Sequence, residues 1–417
     1  MRASENTIAG KLAFVFLCLF AVGLAFSISI AQTGLGLAFL IFLATLFSRR
    51  GRAILDAKGA TTLKVFYAGA FLWVFWRIYH VVISPQPVAE LIEAREVWLM
   101  LIPAFIWFYA SSRKRLLVVV ALFVAGAAVS SAYGAWQMRE DFLNWVRGRG
   151  FSSMHHLNFA GLSALAAMMG LGLTFSAYFA GRKGRAFGIL LLTLSVLIGL
   201  WLTKSRAAIA AFAVVIPVFV YLQLYNKAHR LIFVAIVAVA GTLVFQNIPE
   251  SIAEQYRFPA PEIHAGSQAE RRDLWQAGSA MIKERFWTGF GDRGYNLEYP
   301  RFQVPGAAGV AVYDNVEKSI THMHNDFINT WVLYGLVGLL LQLFYYFAPG
   351  ALYLRERFRL SRQSDRPLAA AAATSLLLMA LMGLTQCHFT SEIVQMSFWL
   401  CVGTLITLLD SDRIGLS

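Results

Sequence analysis

Charged side chains are scarce in this 417-residue chain: Asp, Glu, Lys and Arg make up 14%, against 58% hydrophobic residues and a mean hydropathy of +0.60. A soluble domain has no use for so much apolar surface, so that class is excluded. Cysteine is nearly absent, and the 3 present, Cys18, Cys387 and Cys401, lie in or beside apolar runs without disulfide or metal-ligand spacing. Packing is their expected role. The first apolar run lacks a small-residue cleavage pattern and is followed at once by another, so it reads as a retained helix rather than a signal peptide. No clear repeat of span groups is evident, and the candidate site residues cluster at one face, which counts against a transporter or lipid flippase.

What the chain has is apolar length. Runs near the roughly 17 to 25 residues that cross a bilayer lie at 11–29, 34–48, 63–83, 97–110, 116–136, 157–180, 187–203, 207–224, 231–245, 327–347, 368–384 and 393–409. The expected fold is therefore an all-α polytopic integral membrane protein with about twelve transmembrane helices, the shorter ones recruiting flanking residues. Residues 1–246 carry the first nine spans, 247–325 form one large polar loop, and 326–417 carry the last three spans and a tail. Irregular backbone cannot sit in lipid, so the loop must lie outside the bilayer or roof a water-filled cavity.

Basic residues orient the stack. Arg49, Arg50 and Arg52 follow the second run, Arg113, Lys114 and Arg115 the fourth, Arg182, Lys183 and Arg185 the sixth, Lys227 and Arg230 the eighth, and Arg355 to Arg366 the tenth. Short basic loops stay cytoplasmic, which places both termini there and the large loop outside. The net charge of +13 is largely this orientation signal, so nucleic acid is not an expected partner.

The outer side breaks the charge rule. Arg139, Arg147 and Arg149 precede the sixth run, Lys204 and Arg206 fill the short turn Thr203-Lys204-Ser205-Arg206, and Arg271, Arg272, Lys283, Arg285, Arg293 and Arg301 lie in the large loop. Long loops translocate regardless of charge, and many such residues pair with nearby carboxylates. The short turn is different: no carboxylate adjoins it, and Ser205 as N-cap would put Arg206 in a first turn, where the helix's positive end disfavours a cation. An anionic ligand relieves that cost. In the large loop Ser267-Gln268-Ala269-Glu270 fits a capping box, which would start an amphipathic helix with Arg271 and Arg272 in its first turn and Leu274, Ala277, Ala280 and Met281 on its apolar face. Gly289, Gly291 and Gly294 would then break it.

Of the 8 histidines, His155, His156, His264, His322 and His324 fall on the outer side. His322-Met323-His324 offers two imidazoles, but no nearby third ligand completes a zinc site, and Asp410-Ser411-Asp412 lies at the cytoplasmic end and reads as a helix terminus. His322 and His324 precede a helix that Asn325 or Asp326 could cap. Arg charges nearby would keep an imidazole neutral, the form a general base needs. A lone histidine is more often structural, bonded to a loop carbonyl; two beside Asn325 at a membrane mouth favour catalysis, and either could be the base.

His324-Asn325, nine residues and then Gly335-Leu336-Val337-Gly338 resemble the signature of bacterial O-antigen ligases, in the superfamily shared with O-antigen polymerases and protein O-oligosaccharyltransferases. Thr203-Lys204-Ser205-Arg206 is similar to the family's Ser-Arg turn. Arg271-Arg272-Asp273-Leu274-Trp275 resembles its R-x-x-x-W helix leading into a glycine-rich turn, here Gly289 to Gly294 with Trp287 where a proline is usual. Arg149-Gly150 and Asn158-Phe159-Ala160 resemble a further segment.

The resemblance implies a GT-C-like membrane glycosyltransferase of the bacterial inner membrane with a periplasmic active site. It would move polysaccharide from undecaprenyl pyrophosphate to a lipid A-core sugar. The implied site has His324 or His322 as base and Arg206 and Arg271 on the pyrophosphate. Arg147, Arg149, Lys204, Arg272, Asn158 and Asn325 would contact substrate, and no metal or other cofactor is expected. Polymerase and protein O-oligosaccharyltransferase are the related alternatives, the latter disfavoured because such chains usually carry a further C-terminal periplasmic portion.

Overall fold

A computed structural model describes residues 7–46, 61–139, 152–224, 226–246, 262–303, 322–360 and 362–413. Their regular structure is all helical, with no strand among them. The chain order is α1 (Ile8–Gly23), α2 (Ile28–Leu46), α3 (Thr61–Ile83), α4 (Pro87–Glu93), a 3-10 segment (Ala94–Leu101), α5 (Ile102–Tyr109), α6 (Arg113–Gln137), α7 (His156–Phe179), α8 (Lys183–Leu202), α9 (Arg206–Gln223) and α10 (Lys227–Gln246). Then come α11 (Glu262–Glu284), α12 (Asp292–Glu298), a short 3-10 turn (Tyr299–Phe302), α13 (Asp326–Glu356), α14 (Arg366–Gly383) and α15 (Glu392–Arg413).

Each expected apolar run overlaps helix, but the run at 11–29 crosses the turn between α1 and α2, and the end of the run at 34–48 lies outside the described residues. Among the described residues 9 helices are long and apolar enough to cross a membrane, and α1 is shorter. The run at 97–110 divides into the 3-10 segment and the eight-residue α5. Pro103 at the start of α5 explains part of this: it fits a first turn but cannot donate to a preceding one.

The bundle is built around α7, which packs on α6, α8, α14 and α15. Its fully buried face is made of small residues and Met, including Ala160, Ala164, Ala167, Met168 and Met169. Small side chains let neighbouring helices approach closely where apolar burial supplies no driving force in lipid. The outward faces of α3, α8 and α10 instead expose Phe71, Leu72, Leu191, Ile232 and Ile236, the pattern of a surface solvated by hydrocarbon.

At one end of the bundle, polar residues tie helix to helix. The Asp410 carboxylate, wholly buried, accepts from Thr62 N at 3.0 Å and Leu63 N at 3.1 Å and so closes the first turn of α3. At the other end, α7 begins beside the loop 384–391: the side of Gly161 faces Val394 and the His388 ring. Gly199, near the end of α8, packs on Ser131 and Phe159. The Thr203 to Arg206 turn, the start of α7 and the loop 384–391 therefore share that end.

The helix in the large loop differs from its expected form. α11 begins at Glu262, so Ser267 lies inside it and Arg271 and Arg272 are mid-helix, away from the positive helix end that the capping-box pattern implied. The apolar face is otherwise as spaced, with Leu274, Ala277 and Met281 buried, while Ala280 is exposed and Gly278 takes the inward position instead. Gly294 does not break the helix; it sits within α12.

Candidate active site

The His322 to Asp326 segment enters α13 through a dense set of bonds. Asn325 is the N-cap: its Oδ1 accepts from Phe327 N at 2.9 Å and Ile328 N at 3.0 Å, and its Nδ2 donates to the Leu384 carbonyl at 2.8 Å. With both ends of its amide engaged, Asn325 holds the segment in place. The Asp326 Oδ1 accepts from Phe389 N at 3.0 Å, and Met323, fully buried, donates to Asn329 Oδ1 at 3.1 Å. Trp275 of α11 donates to the Met323 carbonyl at 2.9 Å. Arg271 lies one turn before Trp275 on the same face of α11, which directs it toward the histidine segment.

His322 and His324 stack edge to face with ring centroids 4.6 Å apart. Nδ1 of His324 lies 3.0 Å from Gln386 Oε1. An amide oxygen only accepts, so Nδ1 donates in this contact, and in the neutral ring that leaves the lone pair on Nε2. Burial, with the His324 ring second, lowers the His322 pKa to about 4. That cause differs from the expectation of depression by arginines, although the outcome, a neutral imidazole, is the same.

Three non-glycine residues have positive φ among those described: Ser152 (53°), Lys204 (52°) and His324 (50°). All three flank turns at this same end of the bundle. Such backbone costs of order 1–3 kcal/mol per residue and persists only where surroundings enforce it. Lys204 is 8% exposed and Ser205 is 7% exposed, so the turn is embedded rather than lying open on the surface. Ser205 is the N-cap of α9, with Arg206 first in the helix; its hydroxyl makes no capping bond. Arg206 and Arg271 are half-buried, and Arg272 points outward, 3.6 Å from Asp273. Asn158 sits half-buried in the first turn of α7, after the N-cap His155. Arg147, Arg149 and the stretches 247–261 and 304–321 lie outside the described residues.

The signature glycines acquire a structural reason. α13 is broken at Gly335, where φ is 66° and ψ −174°, a conformation open essentially to glycine alone. The break exposes main-chain groups that the loop after α11 satisfies. Phe290 N donates to Val332 O at 3.0 Å, Gly291 N to Leu333 O at 2.7 Å, and Leu336 N to Phe286 O at 2.8 Å. Gly289, at φ 69°, lies against Gly335 N and Leu333 O, leaving no room for a side chain. Trp287 stands where the family's proline is usual, and its carbonyl accepts from Val337 N at 3.4 Å.

Beneath this junction is a polar network absent from the sequence reading. Arg77 of α3 pairs with Asp292 at 2.7 Å and lies over the Tyr334 ring at 4.5 Å; Tyr334 donates its hydroxyl to the same Asp292 oxygen at 2.7 Å. The Glu90 carboxylate accepts from Asp292 N and Arg293 N at 3.0 and 2.8 Å, and Arg293 reaches Glu93 at 2.8 Å. Arg77, Glu93, Asp292 and Tyr334 border a cavity of about 270 Å³ lined also by Trp73, Glu96, Asn329 and Gln395. Burial raises the Glu96 pKa to about 7, with Gln395 donating to it at 2.6 Å. Carboxylates and aromatic rings suit a neutral, hydroxyl-rich ligand better than an anion. An arginine inside an apolar run and a glutamate just before one were the available signals, since charge near a span is costly unless paired.

Among the described residues no cluster of three His, Cys, Asp or Glu has metal-holding geometry. A helical chain with 9 described helices long and apolar enough to cross a membrane belongs to the class of multi-pass membrane proteins, and it gathers a histidine pair and embedded cations at one end. A family model described as O-Antigen ligase matches residues 189–343, from within α8 into α13, and supports the resemblance to that family. The match takes in Arg206, Arg271, His324, Gly335 and Gly338. None of the curated proteins matches the chain.

Proposed function

We propose that this protein is an O-antigen ligase, moving polysaccharide from undecaprenyl pyrophosphate to a sugar hydroxyl of the lipid A-core at the periplasmic face of the inner membrane. The observation that carries the reading is His324, whose Nδ1–H is held by Gln386 so that Nε2 can accept a proton. Strained backbone at His324, Lys204 and Ser152 supports a working site at that end.

In the proposed reaction the acceptor hydroxyl oxygen attacks the anomeric carbon from the face opposite the leaving group, and its proton passes to His324 Nε2. The carbon–oxygen bond to pyrophosphate breaks, the electron pair leaves with the phosphate, and the anomeric configuration inverts. Pyrophosphate is a stable leaving group that needs charge neutralisation more than protonation. Arg206 and Arg271 supply that charge, with Lys204 beside Arg206 in the turn and Arg147, Arg149 and Arg272 in reserve. Two guanidinium groups take the place a divalent ion fills in other transferases, so the reaction is proposed to run without metal. His322, kept neutral by burial, is the second candidate base.

The test is transfer by purified protein together with the lipopolysaccharide profile of cells carrying a variant. His324→Ala is expected to insert normally and to lose about 10²–10⁴-fold in rate; wild-type transfer by this variant would refute the base assignment. Loss of a ligase leaves bare core and accumulated lipid-linked polymer, whereas loss of a polymerase leaves core bearing a single repeat. Inhibition of the purified enzyme by chelator would overturn the metal-free mechanism.

A further inference from the structure

At the end of the bundle opposite the histidines, a cavity of about 600 Å³ lies among α6, α7 and α8, within the usual size range of ligand sites. Its rim carries Arg113, Lys114, Arg182, Arg185 and Arg362, drawn from three separate loops. Its floor is apolar, with Leu117, Val118, Leu173 and Ile189. Orientation of the chain accounts for basic residues in these loops. It does not account for their convergence on one apolar-floored cavity.

Charge at the rim is poorly compensated. Arg113 is held by Asp365 at 2.5 Å and Ser364 at 3.1 Å. Lys114, Arg182, Arg185 and Arg362 form no ion pair with the described residues. Arg113 and Lys114 open α6, while Arg182 is the N-cap of α8 and Arg185 lies in its first turn. At both places the helix's own positive end adds to the potential. Val118, on the wall, is exposed on the outer surface of α6, so the cavity opens sideways toward lipid rather than only toward water.

We propose that this cavity binds an anionic diacyl phospholipid, with the phosphodiester on the Arg182, Arg185 and Arg362 rim and the acyl chains along the Leu117 to Ile189 floor. Basic pockets between membrane helices recognise such headgroups by the same two-part chemistry. The proposal rests on the membrane-spanning reading of the chain but not on the transfer reaction.

The experiment uses full-length protein purified in neutral detergent, with retained or added lipid read by native mass spectrometry. Phosphatidylglycerol should bind in preference to phosphatidylcholine. Replacing Arg182, Arg185 and Arg362 together by Gln should weaken binding about 100-fold, at about fivefold per charge. Lys227→Gln, a basic position that does not line the cavity, should leave binding unchanged, and His324→Ala should bind lipid as wild type does. Equal retention of phosphatidylcholine would overturn the proposal without needing any variant to fold. So would full displacement by inorganic phosphate, which would mark a plain anion site, or equal weakening by Lys227→Gln.

Discussion

Gly335→Ala tests whether the break in α13 is what seats the helix-bearing loop. At φ 66° and ψ −174° an alanine adopts a backbone reserved for glycine, at a cost of about 1–3 kcal/mol. Its Cβ would also fall on the Trp287 carbonyl and 2.5 Å from Thr288 N, and overpacking adds about 1–3 kcal/mol. The alternative is for the loop to lift away, breaking the bonds from Phe290 N, Gly291 N and Leu336 N at 3.0, 2.7 and 2.8 Å. At about 0.5–1.5 kcal/mol each, lifting costs about as much as staying, so the docked population must fall substantially. Hydrogen exchange at Gly291 and Leu336 should quicken at least tenfold, and transfer should fall with it, while the protein still inserts. Gly188→Ala, where nothing lies within 4 Å of the added Cβ, should be neutral or stabilising by up to about 1 kcal/mol through helix propensity. Unchanged exchange at those two amides in Gly335→Ala, with transfer within twofold of wild type, would refute the docking role.

Arg77→Met strands the Asp292 carboxylate against Tyr334 alone and should cost about 3–5 kcal/mol, read as a lower melting temperature that Arg77→Met/Asp292→Asn partly restores; identical melting of the two variants would remove the pair from the stability account. Gln386→Leu deletes the acceptor for His324 Nδ1–H and should lower the transfer rate by about 10–100-fold with little effect on KM; a change in KM alone would assign Gln386 to binding. His322, lowered to about 4, takes up its proton more readily when unfolded, so its contribution is present above its ordinary value near 6.5 and is lost as pH falls toward 4, by at most about 3 kcal/mol. Glu96, raised to about 7, has the opposite sign: its contribution is present below its ordinary value of 4.5 and is lost as pH rises from there to 7. The two windows overlap with opposite sign, so between pH 4.5 and 6.5 His322→Gln should make melting temperature fall more steeply with rising pH and Glu96→Gln less steeply, and unaltered slopes would show that these groups do not set them.

Much of the fold was legible because membrane helices announce themselves by length: each apolar run overlaps helix, although the 97–110 run is two short pieces and the 11–29 run crosses the turn between α1 and α2. The histidine segment and Asn325 as helix cap followed from side-chain chemistry close in sequence. The helix around Arg271 was misread because Ser267 to Glu270 satisfies a capping pattern that an already running helix can carry without starting there. Long-range partners were not legible at all. Gln386 lies 62 residues from His324, and Asp292 lies 215 from Arg77, separations at which no spacing rule operates.

The bond from Trp275 to the Met323 carbonyl makes cover and chemistry one mechanical unit. Met323 lies between the two histidines, so displacing α11 withdraws the strut that sets both imidazoles. Under the proposed reaction, a raised cover would disarm the base, and the lipid-linked polymer would be protected from being spent on water while the mouth stands open.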